Sequence, residues 1–133
     1  MDSIHAHSLR SLDGCQVLVV EDDSDTRQIM KFVLEQNGAV VEAVDSVNSA
    51  LTQFRSKKPD VIVADIAMPG LNGFALIAEV RKIDAEVKTH TQVIAVTAFS
   101  SPQDRDRAIS AGFDQYLTKP FDPSELINAV RQV

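Results

Sequence analysis

The sequence predicts a single α/β domain, a doubly wound five-stranded parallel sheet with helices on both faces. Three observations carry that expectation. Short apolar runs such as residues 17–20 and 61–64 are continuous rather than alternating, as strands covered on both faces require. Each run is followed by a stretch of helical periodicity, and this β-α order occurs five times. The chain has 133 residues, which suits one domain with one sizeable core. Right-handed crossovers leave few topologies, and strand order 2-1-3-4-5 is the natural one.

The first strand is read over residues 15–20, with the single cysteine, Cys15, as a packing residue. The first helix spans about 25–36, with Ile29, Phe32 and Val33 as its inward stripe and Gly38 as its stop. The second strand covers 39–43. Ser46 caps the second helix, which buries Val47, Ala50, Leu51 and Phe54 and ends in the solvated pair Lys57-Lys58 before Pro59. The third strand, 61–64, runs into Asp65 and a Pro69-Gly70 turn. The third helix, about 73–83, turns Leu76, Ile77 and Val80 inward, and the fourth strand covers 92–96. Ser101-Pro102-Gln103-Asp104 then supplies an N-cap, a proline at the first helical position and an acid at the third. The fourth helix so opened is closed by Gly112. A short fifth strand, 115–117, follows. Asp122-Pro123-Ser124-Glu125 repeats the cap and opens a fifth helix that buries Leu126, Val130 and Val133. Residues 1–13 read as a flexible N-terminal tail and 14–133 as the domain.

Composition narrows the function classes. Hydrophobic residues make up 44% and charged residues 24% of the chain, ordinary values for a soluble globular protein. No apolar stretch approaches the roughly 20 residues of a membrane helix, and the N-terminus lacks the apolar region of a signal peptide. A lone cysteine fits a reducing cytoplasm. The net charge of −6 and the lack of any Lys/Arg run argue against direct nucleic-acid binding and for a protein partner. His5, His7 and His90 share no ligand spacing and read as solvated.

The chemistry collects where strands end. Glu21 and Asp22 follow the first strand, Asp65 the third, Thr97 the fourth, and Lys119-Pro120 the fifth. In parallel α/β sheets that rim is where ligands bind. Three acids brought together there repel unless a cation joins them, and a hard divalent cation is the natural guest. Asp23 is as much a helix N-cap as a member of that cluster.

Taken together, Val19-Val20-Glu21-Asp22-Asp23, Asp65-Ile66-Ala67-Met68-Pro69 with Gly73, Val96-Thr97-Ala98 and Lys119-Pro120-Phe121 resemble the receiver domain of two-component response regulators, the CheY-like superfamily. The resemblance covers about residues 14–133. It implies that Asp65 is the phosphoacceptor, taking a phosphoryl group from a sensor histidine kinase or histidine phosphotransfer protein. It implies that Asp22, Asp65 and the backbone carbonyl of Ala67 hold Mg²⁺, with Glu21 acting through a bound water. Lys119 would pair with a phosphoryl oxygen and, before phosphorylation, offset the acids; the Lys119-Pro120 bond is expected to be cis. Thr97 and Tyr116 are the implied switch pair, whose movement reshapes the surface of the fourth helix, fifth strand and fifth helix for a downstream protein. Ala67 and Phe99 occupy positions that influence how long the phosphoryl group lasts. The resemblance admits dimerisation through the fourth and fifth helices.

On this reading the chain is no enzyme with an external product, but a switch that catalyses only its own phosphorylation and dephosphorylation. A phosphorylation-independent pseudo-receiver is the alternative, opposed by the intact Asp22, Asp65, Thr97 and Lys119. A Mg²⁺-dependent phosphatase with an aspartate nucleophile would want an acid where Ala67 stands. A nucleotide-binding protein would want a glycine-rich loop where Glu21 and Asp22 stand. The chain reads equally as a single-domain regulator or as a receiver segment of a hybrid histidine kinase, the latter suggested by Leu12-Asp13-Gly14 before the first strand.

Overall fold

Strands β1 (Gln16–Val20), β2 (Val40–Val44), β3 (Val61–Asp65), β4 (Gln92–Thr97) and β5 (Gln115–Thr118) alternate with helices α1 (Ser24–Gln36), α2 (Val47–Lys57), α3 (Gly73–Val87), α4 (Pro102–Ala111) and α5 (Pro123–Arg131). The computed structural model describes residues 11–67, 72–99 and 101–132. All strand pairs are parallel, and the sheet order is β2-β1-β3-β4-β5, as expected from the β-α alternation and right-handed crossovers.

The continuous apolar strands are the buried ones. All five β3 residues are buried, as are the last four of β1 and the last five of β4. Their side chains alternate between two clusters. Leu18, Val20, Ile62 and Ala64 face α2, α3 and α4 through Phe54, Leu76, Ile77, Val80 and Ala108. Val17, Val19, Val61, Val63, Ile94 and Val96 face α1 and α5 through Met30, Leu34, Leu126 and Val130. Each such aliphatic side chain contributes about 1.5–3 kcal/mol on burial, so the two clusters are the main stabilising feature of the fold.

Caps set the helix starts. Ser46 accepts from the Ser49 N–H at 3.2 Å, and Ser101 accepts from that of Asp104 at 3.1 Å. Asp23 accepts from both the N–H and the hydroxyl of Thr26, at 2.9 and 2.6 Å, so its place is the N-cap of α1. The N–H of Asp122 donates to Glu125 Oε1 at 2.8 Å at the start of α5. The Lys119-Pro120 peptide is cis, as the resemblance implied.

Several expectations are corrected. Ile29 and Phe32, read as inward, are 61% and 63% exposed, and Met30 and Leu34 are the buried residues of α1. Residues 29–34 are apolar except Lys31, so two stripes fit the helical period, and packing on α5 and β1 selects the one the pattern did not. Helix α3 runs past residue 83 to Val87, where Lys88 caps it in the left-handed conformation. Leu12, assigned to the tail, is 3% exposed; its N–H donates to the Asn37 carbonyl at 2.8 Å, so the folded chain already includes it. Residues 1–10, with His5 and His7, the Pro69-Gly70 turn and Val133 lie outside the described residues.

His90 is not merely solvated: its Nε2 lies 2.8 Å from Asp114 Oδ1. Asp114 also accepts from Arg81 and from the Val93 N–H, both at 2.8 Å. Arg81 further binds the Gly112 and Thr91 carbonyls and Asp84. Asp84 is 4% exposed and accepts from the N–H and hydroxyl of Thr91. This network ties α3 to β4 and β5 at the amino end of the strands. It leaves the carboxyl end free for chemistry.

Candidate functional site

Strand register assembles the site. Val20 lies opposite Ala64, so Glu21 and Asp65, one residue on, leave the sheet side by side. Asp65 pairs with Val96, which precedes Thr97, and Thr97 pairs with Thr118, which precedes Lys119. Four strand ends thereby deliver two acids, a hydroxyl and an ammonium to one edge. Gly73 lets α3 press on this edge: a Cβ there would stand 2.8 Å from Ile66 Cα and 3.1 Å from the Asp65 carbonyl oxygen.

Asp65 is 6% exposed, Glu21 1% and Thr97 0%. Asp22, on the turn after Glu21, is exposed. Carboxylate oxygens of Glu21, Asp22 and Asp65 all lie within 4.8 Å of one another. Lys119 Nζ donates to Glu21 Oε1 at 2.7 Å and to Asp65 Oδ2 at 3.0 Å. The other Asp65 oxygen accepts from the Ala67 N–H at 3.0 Å, and Glu21 Oε2 accepts from the Asp23 N–H at 3.2 Å. Lys119 thus offsets two of the three acids.

One ammonium among three carboxylates leaves excess negative charge. Burial pushes the Glu21 carboxyl above its usual range, although the Lys119 hydrogen bond pulls the other way. Burial by itself would lower the Lys119 ammonium, but its bonds to Glu21 and Asp65 outweigh that and hold it above the ordinary lysine range. Lys119 is therefore charged at neutral pH and fixed between two acids. An oxygen-only donor set with surplus negative charge fits a hard divalent cation.

Thr97 and Tyr116 are linked through one residue. The Phe99 N–H donates to Thr97 Oγ1 at 3.3 Å, and the Phe99 carbonyl accepts from the Tyr116 hydroxyl. The Phe99 ring itself is 50% exposed.

The profile of the response regulator receiver domain family matches residues 17–131. An uncharacterised 14.6 kDa protein in the sodA1 3′ region of Leptolyngbya boryana is 42% identical over 125 residues, covering 93% of each chain. The phosphate regulon transcriptional regulatory protein PhoB of Escherichia coli K12 is 35% identical over 118 residues, 89% of this chain and 51% of PhoB. The chain belongs to the response regulator receiver family. Its fold agrees with that assignment. The chemotaxis protein CheY4 of Vibrio cholerae superposes with a TM-score of 0.83 at 29% identity, over 90% of this chain and 98% of that one. The chain spans about half the length of PhoB.

All seven residues expected at the receiver's site lie at this edge or on the turns and strands leading to it. Arg27 was not anticipated. It donates to the Glu21 and Asp22 carbonyls at 2.9 and 3.3 Å, pinning the turn that carries both acids. Its signal in the sequence was weak: a cation one turn into α1 reads as an ordinary surface residue. Among the described residues, no helix is long and apolar enough to cross a membrane.

Proposed function

We propose that the chain is a phosphoacceptor receiver that takes a phosphoryl group from a histidine kinase or histidine phosphotransfer protein onto Asp65. The observation that carries this reading is the placement of Lys119, which reaches both Glu21 and Asp65 while Asp22 lies within the same acid group. In this reading Asp22, Asp65 and the Ala67 carbonyl hold Mg²⁺, with Glu21 acting through a water. Bound there, Mg²⁺ would neutralise charge on the phosphoryl group in transit.

An Asp65 carboxylate oxygen attacks phosphorus. The new P–O bond forms as the P–N bond to the donor imidazole breaks, and the imidazole leaves with that electron pair and takes up a proton. Lys119 then transfers its contact from Asp65 to a phosphoryl oxygen as a compact point charge. The Thr97 oxygen accepts from Phe99, so the hydroxyl proton remains free for a second phosphoryl oxygen. Attack by water reverses the modification. The receiver catalyses only these two steps on itself and passes the change to a protein partner through α4, β5 and α5.

Phosphorylation by acetyl phosphate, followed by intact mass with and without Mg²⁺, tests the reading. A Mg²⁺-dependent gain of one phosphoryl group in the parent and none in Asp65→Asn is expected. No gain in folded parent protein would leave a pseudo-receiver that only binds partners.

A further inference from the structure

At the opposite end of β3 from Asp65, the carboxyl ends of α2 and α3 leave a groove of about 530 Å³ beside the starts of β3 and β4. That volume falls within the roughly 300–1,000 Å³ typical of small-molecule sites. Its apolar lining comes from Phe54 of α2, Ile83 of α3 and Pro59 in the turn before β3. Val87, the last residue of α3, also lines it and is 47% exposed. Arg55 and Lys58 line the groove from the α2 side, and His90 lines it from the segment after α3.

The charges around this groove are unequally engaged. Both carboxylate oxygens of Asp84 are taken up by Arg81, Thr89 and Thr91. Asp60 is turned to the Gln16 N–H of β1, at 2.9 Å. His90 is held by Asp114, and Lys57 by Glu42 at 2.8 Å. Among the described residues, Arg55 and Lys58 have no carboxylate partner. The carboxyl ends of the two helices carry about −0.5 charge each, which offsets only one of these two cations. Lys58 is also left-handed, at φ 46°, where glycine would end α2 with less strain. An ammonium is thus placed beside an apolar hollow in a backbone conformation that disfavours a side chain.

We propose that this groove is a ligand site for a small organic anion with an apolar body, a medium-chain or aryl carboxylate. Phe54, Pro59, Ile83 and Val87 cover the apolar body, and Arg55 and Lys58 take the carboxylate through charge-assisted hydrogen bonds. The groove shares no residue with the acidic edge at Asp65, so the inference is independent of the phosphoacceptor reading.

The test titrates the full chain with octanoate, and with octylammonium as the control of opposite charge, and follows backbone amides by nitrogen–proton NMR. Octanoate should bind with a dissociation constant on the order of 1 mM. It should move the amides of Arg55, Lys58, Ile83 and His90, while octylammonium leaves them in place. Arg55 and Lys58 are exposed, and glycine suits the left-handed position, so Arg55→Ala and Lys58→Gly are expected to fold, which the same spectra check. Together the two substitutions should weaken octanoate binding about tenfold or more. Asp65→Asn should bind octanoate as the parent does. The site would be overturned by an absence of shifts at about 10 mM octanoate, tenfold above the expected constant, or by shifts confined to other surfaces. Equal binding of octylammonium, undiminished binding in the doubly substituted chain, or loss of binding in Asp65→Asn would overturn it as well.

Discussion

At the scale of single residues the site is a balance of one cation against three anions. Lys119 lies between Glu21 and Asp65, and Asp22 adds like charge beside them. Removing one acid relieves repulsion. Asp22→Asn should raise the thermal midpoint of the metal-free protein by roughly 2–4 °C, while differential scanning calorimetry should find most of its Mg²⁺ response gone. An unchanged or lowered midpoint would mean that repulsion among the acids costs the fold nothing. Tyr116 offers a pH test. Desolvation of the phenol and the negative charge of Asp104 hold it above the usual tyrosine range. A group whose folded value is raised adds stability that is complete below its unfolded value of about 10 and is lost as pH rises through the folded value. Phenolate absorbance should therefore rise at higher pH in native protein than in urea-unfolded protein. Coincident curves would contradict the assignment.

At the scale of elements, α1 shows where periodicity stops being decisive. Its apolar residues suit either of two stripes, and the tertiary fold buries Met30 and Leu34 while leaving Ile29 and Phe32 in solvent. The stability difference should be plain in urea titrations. Leu34→Ala should cost about 2–5 kcal/mol by opening a cavity, whereas Phe32→Ser should change stability by no more than about 0.5 kcal/mol. Comparable losses would place the helix in the other phase. The start of α1 is set by Asp23, and Asp23→Ala should cost about 1 kcal/mol. The other caps were legible because Ser46, Ser101-Pro102 and Asp122-Pro123 carry their meaning within four residues. The end of α3 was not. Its last turn is held by Asp84, an acid buried only because Arg81, Thr89 and Thr91 converge on it.

At the scale of the whole molecule, Mg²⁺ should act as a stabilising ligand of the native state. At a concentration about 100-fold above its dissociation constant it adds about 2.7 kcal/mol, which corresponds to a rise of roughly 5–10 °C in the midpoint for a domain of this size. Absence of any rise would remove the metal from the mechanism. The sequence by itself determined the β-α alternation, the sheet order and the edge at which Glu21, Asp22, Asp65, Thr97 and Lys119 meet. Those are consequences of short-range patterns combined with the handedness of crossovers, and a strand's end is visible in its own residues. Only the tertiary structure decided which face of α1 is buried, that Arg27 pins the acidic turn, that His90 and Arg81 share Asp114, and that Arg107 lies over Phe74. Each of these pairs residues whose partners lie on other elements, or chooses among local arrangements of equal merit. No local signal distinguishes such partners before the sheet brings them within a few ångströms.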